Sequence, residues 1–167
     1  MHIDDVLKDG RYHILHKLGF GAFSTVWLAR DNTYAHDPSG SMPGASDVYY
    51  RNLSNVSIKV VVSNCSGSQS PELGILQHIE EKGDPNHPGS KHIPRLIDSF
   101  HHEGPNGRHL CVVTELLGPK VSSVMEKCTN YRLDGHLARR VSRQLLLAVD
   151  YLHSCGVAHG GMFLLCR

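Results

Sequence analysis

The chain has 167 residues, 40% hydrophobic and 20% charged, which suits one globular domain with its own core. A formal net charge of +1 offers no overall attraction to nucleic acid or to an acidic membrane. No apolar run approaches the roughly 18 residues needed to span a bilayer, and the polar, acidic opening MHIDDVLKDGRY does not read as a signal peptide.

The first predicted element is a β-hairpin. RYHILHKLGFGAFSTVWLARD alternates apolar and polar residues on both sides of a glycine-rich turn. Residues 31–54 are rich in Gly, Ser, Pro, Asp and Asn, show no period, and are expected to be a long disordered loop. VSIKVVV at 56–62 is β-branched and reads as a buried strand. In SPELGILQHIEEK, Ser70 can cap a helix that opens on Pro71 and sets Leu73, Leu76 and Ile79 on one face; Gly74 weakens it. IPRLIDSFHH and HLCVVTELLG bracket a loop at 103–108 and make two more strands. The strongest helix signal is LDGHLARRVSRQLLLAVDYLHSCG, running from about Leu137 to Ser154. Asp134 can cap it, Gly156 can end it, and Leu137, Val141, Leu145, Ala148 or Val149, and Leu152 recur on one side. There are no internal repeats.

Five cysteines, at 65, 111, 128, 155 and 166, are scattered and free of C-x-x-C pairs. That argues against a disulfide framework and a zinc site, and for reduced thiols. The sequons at Asn52, Asn55 and Asn64 are therefore read as chance. His101, His102 and His109 fall in the polar stretch HHEGPNGRH and are expected to be solvated loop residues rather than metal ligands.

Chemistry concentrates at two places. Gly19-x-Gly21-x-x-Ser24-x-Val26 sits at the hairpin turn after Leu18. Missing side chains there let backbone N–H groups approach phosphate oxygens. The pattern returns into a strand, whereas a dinucleotide fingerprint or Walker loop would run into a helix. Lys59 stands between Ile58 and Val60. It is either an edge-strand charge or one half of an ion pair with Glu72, which would fix its ammonium toward phosphates.

The order of hairpin glycines, strand lysine, helix glutamate, hinge strand, long helix and His159-Gly160 resembles a eukaryotic serine/threonine protein kinase. More narrowly it is similar to the SR-protein kinases, through KLGFGAFSTVWLARD, GSKHIPRLIDSF, EGPNGRHLCVVTELLGP and RQLLLAVDYLHSCGVAHG. The resemblance implies an α+β, protein kinase-like fold: an antiparallel small-lobe sheet with one helix at 1–117, a hinge near Glu115–Gly118, the first helices of an incomplete large lobe at 118–160, and an aberrant tail at 161–167. It implies ATP as cofactor. Leu18 and Val26 would pack on adenine, Gly19, Gly21 and Ser24 would cover the phosphates, and Lys59 would hold them while pairing with Glu72. Thr114 would be the gatekeeper, with Glu115 and Leu117 giving hinge hydrogen bonds. It implies Arg-Ser-rich protein substrates, a monomer in cytoplasm and nucleus, and no direct nucleic-acid or membrane partner.

The sequence also departs from that family. Ser57 stands where alanine is usual, and Thr114 is smaller than the usual residue. The family continues His-x-Asp-(Leu/Ile)-Lys-Pro-x-x-Asn, but here Gly161 takes the place of the catalytic Asp and Met162-Phe163-Leu164-Leu165-Cys166 follows. No proton acceptor and no magnesium ligands follow, so the chain as it stands is expected to be inactive. Gly161-Met162-Phe163 can be encoded as G|GTATGTTY, which carries the start of a eukaryotic intron, so the tail is expected to be translated intron. A second class of function stays open from the sequence: a non-catalytic small-lobe module that binds a protein partner or nucleotide.

Overall fold

The computed structural model describes residues 1–34, 55–66 and 70–158. The chain divides into two compact units, one formed by Met1–Leu73 with Leu96–Leu116 and the other by Gly74–Arg95 with Leu117–Arg167.

The first unit holds a six-stranded antiparallel sheet in the order β1-β2-β3-β4-β6-β5. Its strands are β1 (Val6–Leu7), β2 (Tyr12–Gly21), β3 (Ser24–Asp31), β4 (Asn55–Val61), β5 (Leu96–Gly104) and β6 (Gly107–Glu115). Side chains alternate between the two faces of a strand, so the register sorts them. Trp27, Ile58 and Val113 are cross-strand partners, and all three belong to the buried core with Tyr12, Ile14 and Val56. One residue along, Val26, Lys59 and Val112 form a row on the opposite face, and Leu28, Ser57 and Thr114 form the next. The β-branched run that predicts β4 therefore serves both faces.

An ionic cluster ties the start of β2 to β3 and β5. Asp31, with its side chain 0% exposed, accepts Arg11 Nε at 3.1 Å, Arg11 Nη2 at 2.8 Å and the Thr33 N–H at 3.0 Å. Asp98 Oδ2 accepts Lys8 Nζ at 2.5 Å, Arg11 Nη1 at 3.1 Å and the Tyr12 hydroxyl at 2.8 Å. The Tyr12 ring stacks on Phe100 with centroids 5.6 Å apart. Burial pushes both carboxyls up, but the donors outweigh it and hold them below the usual carboxylate range.

The second unit is helical. Helix α1 (Pro71–Lys82) supplies it from Gly74 onward, followed by α2 (Val121–Met125) and α3 (Gly135–Ser154). Asp134 caps α3 as predicted, accepting the N–H groups of His136 and Leu137 at 2.9 and 3.0 Å. Gly156 closes it at φ 73°. There the Gly156 N–H reaches the His153 carbonyl and the Val157 N–H the Leu152 carbonyl, so two last-turn acceptors are satisfied. Ile79, Tyr151, Leu152 and Cys155 form the buried core of this unit. The two chain segments approach closely, since a Cβ on Gly89 would lie 2.0 Å from the Leu147 carbonyl oxygen.

Three expectations need correction. The predicted loop at 31–54 starts later: Asp31 is the buried last residue of β3, and Asn32–Tyr34 is a 3-10 turn, because Arg11 and Thr33 neutralise and bind the Asp31 carboxylate. The remainder, 35–54, lies outside the described residues. The loop at 103–108 shrinks to Pro105–Asn106, with the flanking residues paired from His102↔His109 to Gly104↔Gly107. His101, His102 and His109 are thus strand residues, and two of them make hydrogen bonds to backbone carbonyls.

Candidate functional site

In the first unit the register brings most of the singled-out residues to one sheet face and its edge. Gly19 pairs with Val26, Gly21 with Ser24, and Val26 with Lys59. Leu18 is the extra residue of a bulge between Lys17↔Trp27 and Gly19↔Val26, and it is 47% exposed. Bulges of this kind re-aim a side chain away from the ladder.

The two glycines are not there for the fold. Neither has a positive φ, a Cβ on Gly19 would meet nothing within 4 Å, and one on Gly21 would meet only Ser24 Oγ at 4.0 Å. Their missing side chains leave open space over the hairpin rather than resolve a clash. Phe20 and Phe23 beside them are 82% and 66% exposed.

Lys59 Nζ donates to Glu72 Oε2, on the first turn of α1. The two side chains are 34% and 47% exposed, so the pair contributes little to stability. What it does is aim an ammonium along the half-buried face of β4. Beyond Lys59 along that face come Ser57 and Thr114, which are cross-strand partners and both half-buried. Glu115 ends β6 opposite Val56. Leu117 follows in the second unit, half-buried. His159, Gly160 and Gly161 lie outside the described residues. Among the described residues no group of three or more His, Cys, Asp or Glu side chains is placed to hold a metal ion, and no helix is long and apolar enough to cross a membrane.

Two sets of residues escaped the sequence reading. The Arg11–Asp31–Asp98 cluster joins positions far apart in the chain and leaves no local pattern. His109, whose Nδ1 lies 2.9 Å from the Val61 carbonyl, sits in a stretch whose polarity reads as loop.

No protein-family model matches the chain. It is 36% identical over 162 residues to protein kinase dsk1 of Schizosaccharomyces pombe, a match covering 95% of this chain and 26% of that protein. It is 32% identical over 157 residues to the serine/threonine-protein kinase SKY1 of Saccharomyces cerevisiae, covering 91% and 19%. With human SRSF protein kinase 3 it shares 33% over 160 residues, covering 94% and 25%. The chain is SR-protein kinase-like.

This kinase-like chain spans about a fifth to a quarter of the length of those relatives. The sheet, α1 and the helices that follow fit the small lobe and the start of the large lobe of a protein kinase-like α+β fold.

Proposed function

We propose that residues 1–117 are the nucleotide-binding small lobe of a serine/threonine protein kinase of the SR-protein kinase type, with 118–160 the start of its large lobe. The observation that carries this is the Lys59–Glu72 pair on the accessible sheet face, beside two glycines the fold itself does not require. A hairpin free of side chains lets backbone N–H groups approach a polyphosphate, and a fixed ammonium next to it supplies positive charge. The residues therefore fit ATP, whose γ-phosphoryl group is the one transferred. Gly19, Gly21 and Ser24 would cover the phosphates, Lys59 would bind them, and Leu18, Val26, Thr114, Glu115 and Leu117 would take the base.

Gly161 stands where this family has its catalytic Asp, and glycine cannot accept the substrate's hydroxyl proton. In our reading the chain by itself is inactive toward the Arg-Ser-rich proteins such kinases modify, and it is a monomer of cytoplasm and nucleus. Genomic sequence beyond the Gly161 codon tests the intron reading: Asp-Leu-Lys-Pro coding sequence across a splice junction supports it, and its absence ends it.

Titration of the purified chain with a fluorescent ATP analogue tests the nucleotide site. In this reading the small lobe covers one face of the base, so roughly −5 kcal/mol is expected, a Kd of about 0.2 mM. Lys59→Ala should abolish the signal. Binding that is indifferent to Lys59 would remove the proposed site, and turnover of an Arg-Ser peptide abolished by Lys59→Met would remove the proposed inactivity.

A further inference from the structure

The structure shows how the chain leaving the Lys59 strand is held. β4 carries Lys59 and ends at Val61; six residues before Glu72 stands Ser66, buried at 7% exposure. Between them the chain makes a 3-10 turn at Ser63–Cys65. The paired ladder between β4 and β6 stops at Val60↔Cys111. Just past that point, side chains of the β5–β6 hairpin take hold of the departing chain.

Four sets of contacts converge on this turn. His109 Nδ1 lies 2.9 Å from the Val61 carbonyl oxygen, and His101 Nε2 lies 3.3 Å from that of Ser66. A carbonyl only accepts, so both ring nitrogens are the protonated ones. Ser66 Oγ sits 2.8 Å from the Val62 carbonyl and 3.1 Å from the Val61 carbonyl that His109 engages. Gly107, at φ 110°, lies so near Ser63 that a Cβ there would come within 3.1 Å of the Ser63 Cβ. A single satisfied histidine would be ordinary structure. Here two histidines, a buried hydroxyl and a close approach all fix one short turn, and that turn follows directly on the lysine strand.

We propose that His109, with Ser66 and His101, is a positioning residue for the Lys59–Glu72 pair. It holds the exit of β4 against the β5–β6 hairpin, so that Lys59 keeps its place opposite Glu72 when a phosphate competes for the ammonium. An exposed pair is weak by itself, and its geometry must come from the elements that carry it. The importance of that geometry for a nucleotide rests on the function proposed above. The clamp on the turn does not.

The test uses the full chain and two measurements. Amide hydrogen exchange is followed at residues 62–66 and over the first turn of α1, and affinity for the fluorescent ATP analogue is measured for His109→Ala, His109→Asn, Glu72→Gln and the double variant His109→Ala/Glu72→Gln. Asn places its amide N–H near the position of Nδ1–H and is the conservative replacement. His109→Ala should speed exchange in both segments about fivefold, the effect of losing one hydrogen bond. It should weaken binding about as much as Glu72→Gln, with no further loss in the double variant. His109→Asn should restore both readouts. Should His109→Ala fail to fold, as judged by Trp27 emission, Ser66→Ala is the second variant, with the same expected exchange pattern. Unchanged exchange overturns the proposal, as does a full additional loss in the double variant. If instead the wild-type chain binds the analogue without regard to Lys59, the nucleotide site fails while the exchange measurement still decides the clamp.

Discussion

Replacing Arg11 by Met isolates the energetic role of the ionic cluster. The Asp31 carboxylate is fully buried and takes two N–H groups from Arg11 at 3.1 and 2.8 Å, and one from the Thr33 backbone. Without Arg11 a buried charge keeps only the neutral donors of Thr33 and loses its cationic partner, a change that costs roughly 3–5 kcal/mol. Asp31→Asn is milder: it removes the charge, and Arg11 keeps Asp98 through Nη1, so about 1–3 kcal/mol is expected. The pH dependence gives a second handle with a definite sign. In the wild type the Asp31 and Asp98 carboxyls lie below the usual range, because donors outweigh burial. The unfolded chain therefore takes up protons first on acidification. The stabilisation is complete above the ordinary aspartate value, about 3.9, and is lost as pH falls through the lower folded values. In Arg11→Met, burial acts on Asp31 opposed only by Thr33, so its pKa rises relative to the wild type. Acidification then relieves the folded state, and the deficit against wild type should shrink between pH 7 and pH 4. The assay is urea unfolding followed by Trp27, the only tryptophan and 8% exposed in the sheet core. A cost below about 1 kcal/mol, or a deficit that does not shrink on acidification, refutes this account of the cluster.

Other outcomes follow from single contacts. Lys59→Met and Glu72→Gln should each change stability by no more than about 1 kcal/mol, because the pair is exposed, while each weakens binding of the ATP analogue; a large loss of stability in urea would show the pair to be structural. Gly89→Ala should destabilise the second unit by about 1–3 kcal/mol, since its Cβ would meet the Leu147 carbonyl at 2.0 Å, and calorimetry that finds it neutral would contradict the close approach. Cys111 is fully buried and its thiol is pushed up to about 12 by burial, whereas Cys65 is exposed. A thiol reagent read by peptide mapping should modify Cys65 in the folded chain and Cys111 only in urea.

Elements with a strong period or an explicit stop were legible in the sequence. The hairpin of β2 and β3, the β-branched β4, and α3 between Asp134 and Gly156 all stand where patterning and capping put them. β1 was not legible, because Val6–Leu7 is too short to show alternation. The outer ends of β5 and β6 were lost for a related reason. Glu103–Gly104 and Gly107–Arg108 pair fully, yet these ends are polar or glycine and face no core, so they imitate a loop. Asp31 is the instructive case: a buried aspartate reads as a turn residue until its partner Arg11 is known, and nothing local names that partner. At the candidate site, residue types pointed to Gly19, Gly21, Lys59 and Glu72, and the ion contact forms. Which hydrogen bonds hold its two elements in place depended on tertiary register, which a single sequence does not display.

The pairing of Arg30 with Asn55 across β3 and β4 makes the two ends of a long connection neighbours, about 5 Å apart. Asp31 and Asn32 anchor the departing end, the first through Arg11 and the second through its side-chain bond to the Gly10 carbonyl. For protein engineering that junction is a socket. A fluorescent reporter or affinity module whose own termini lie about that close can take the place of the connection and leave the strand register and the Lys59 face unchanged.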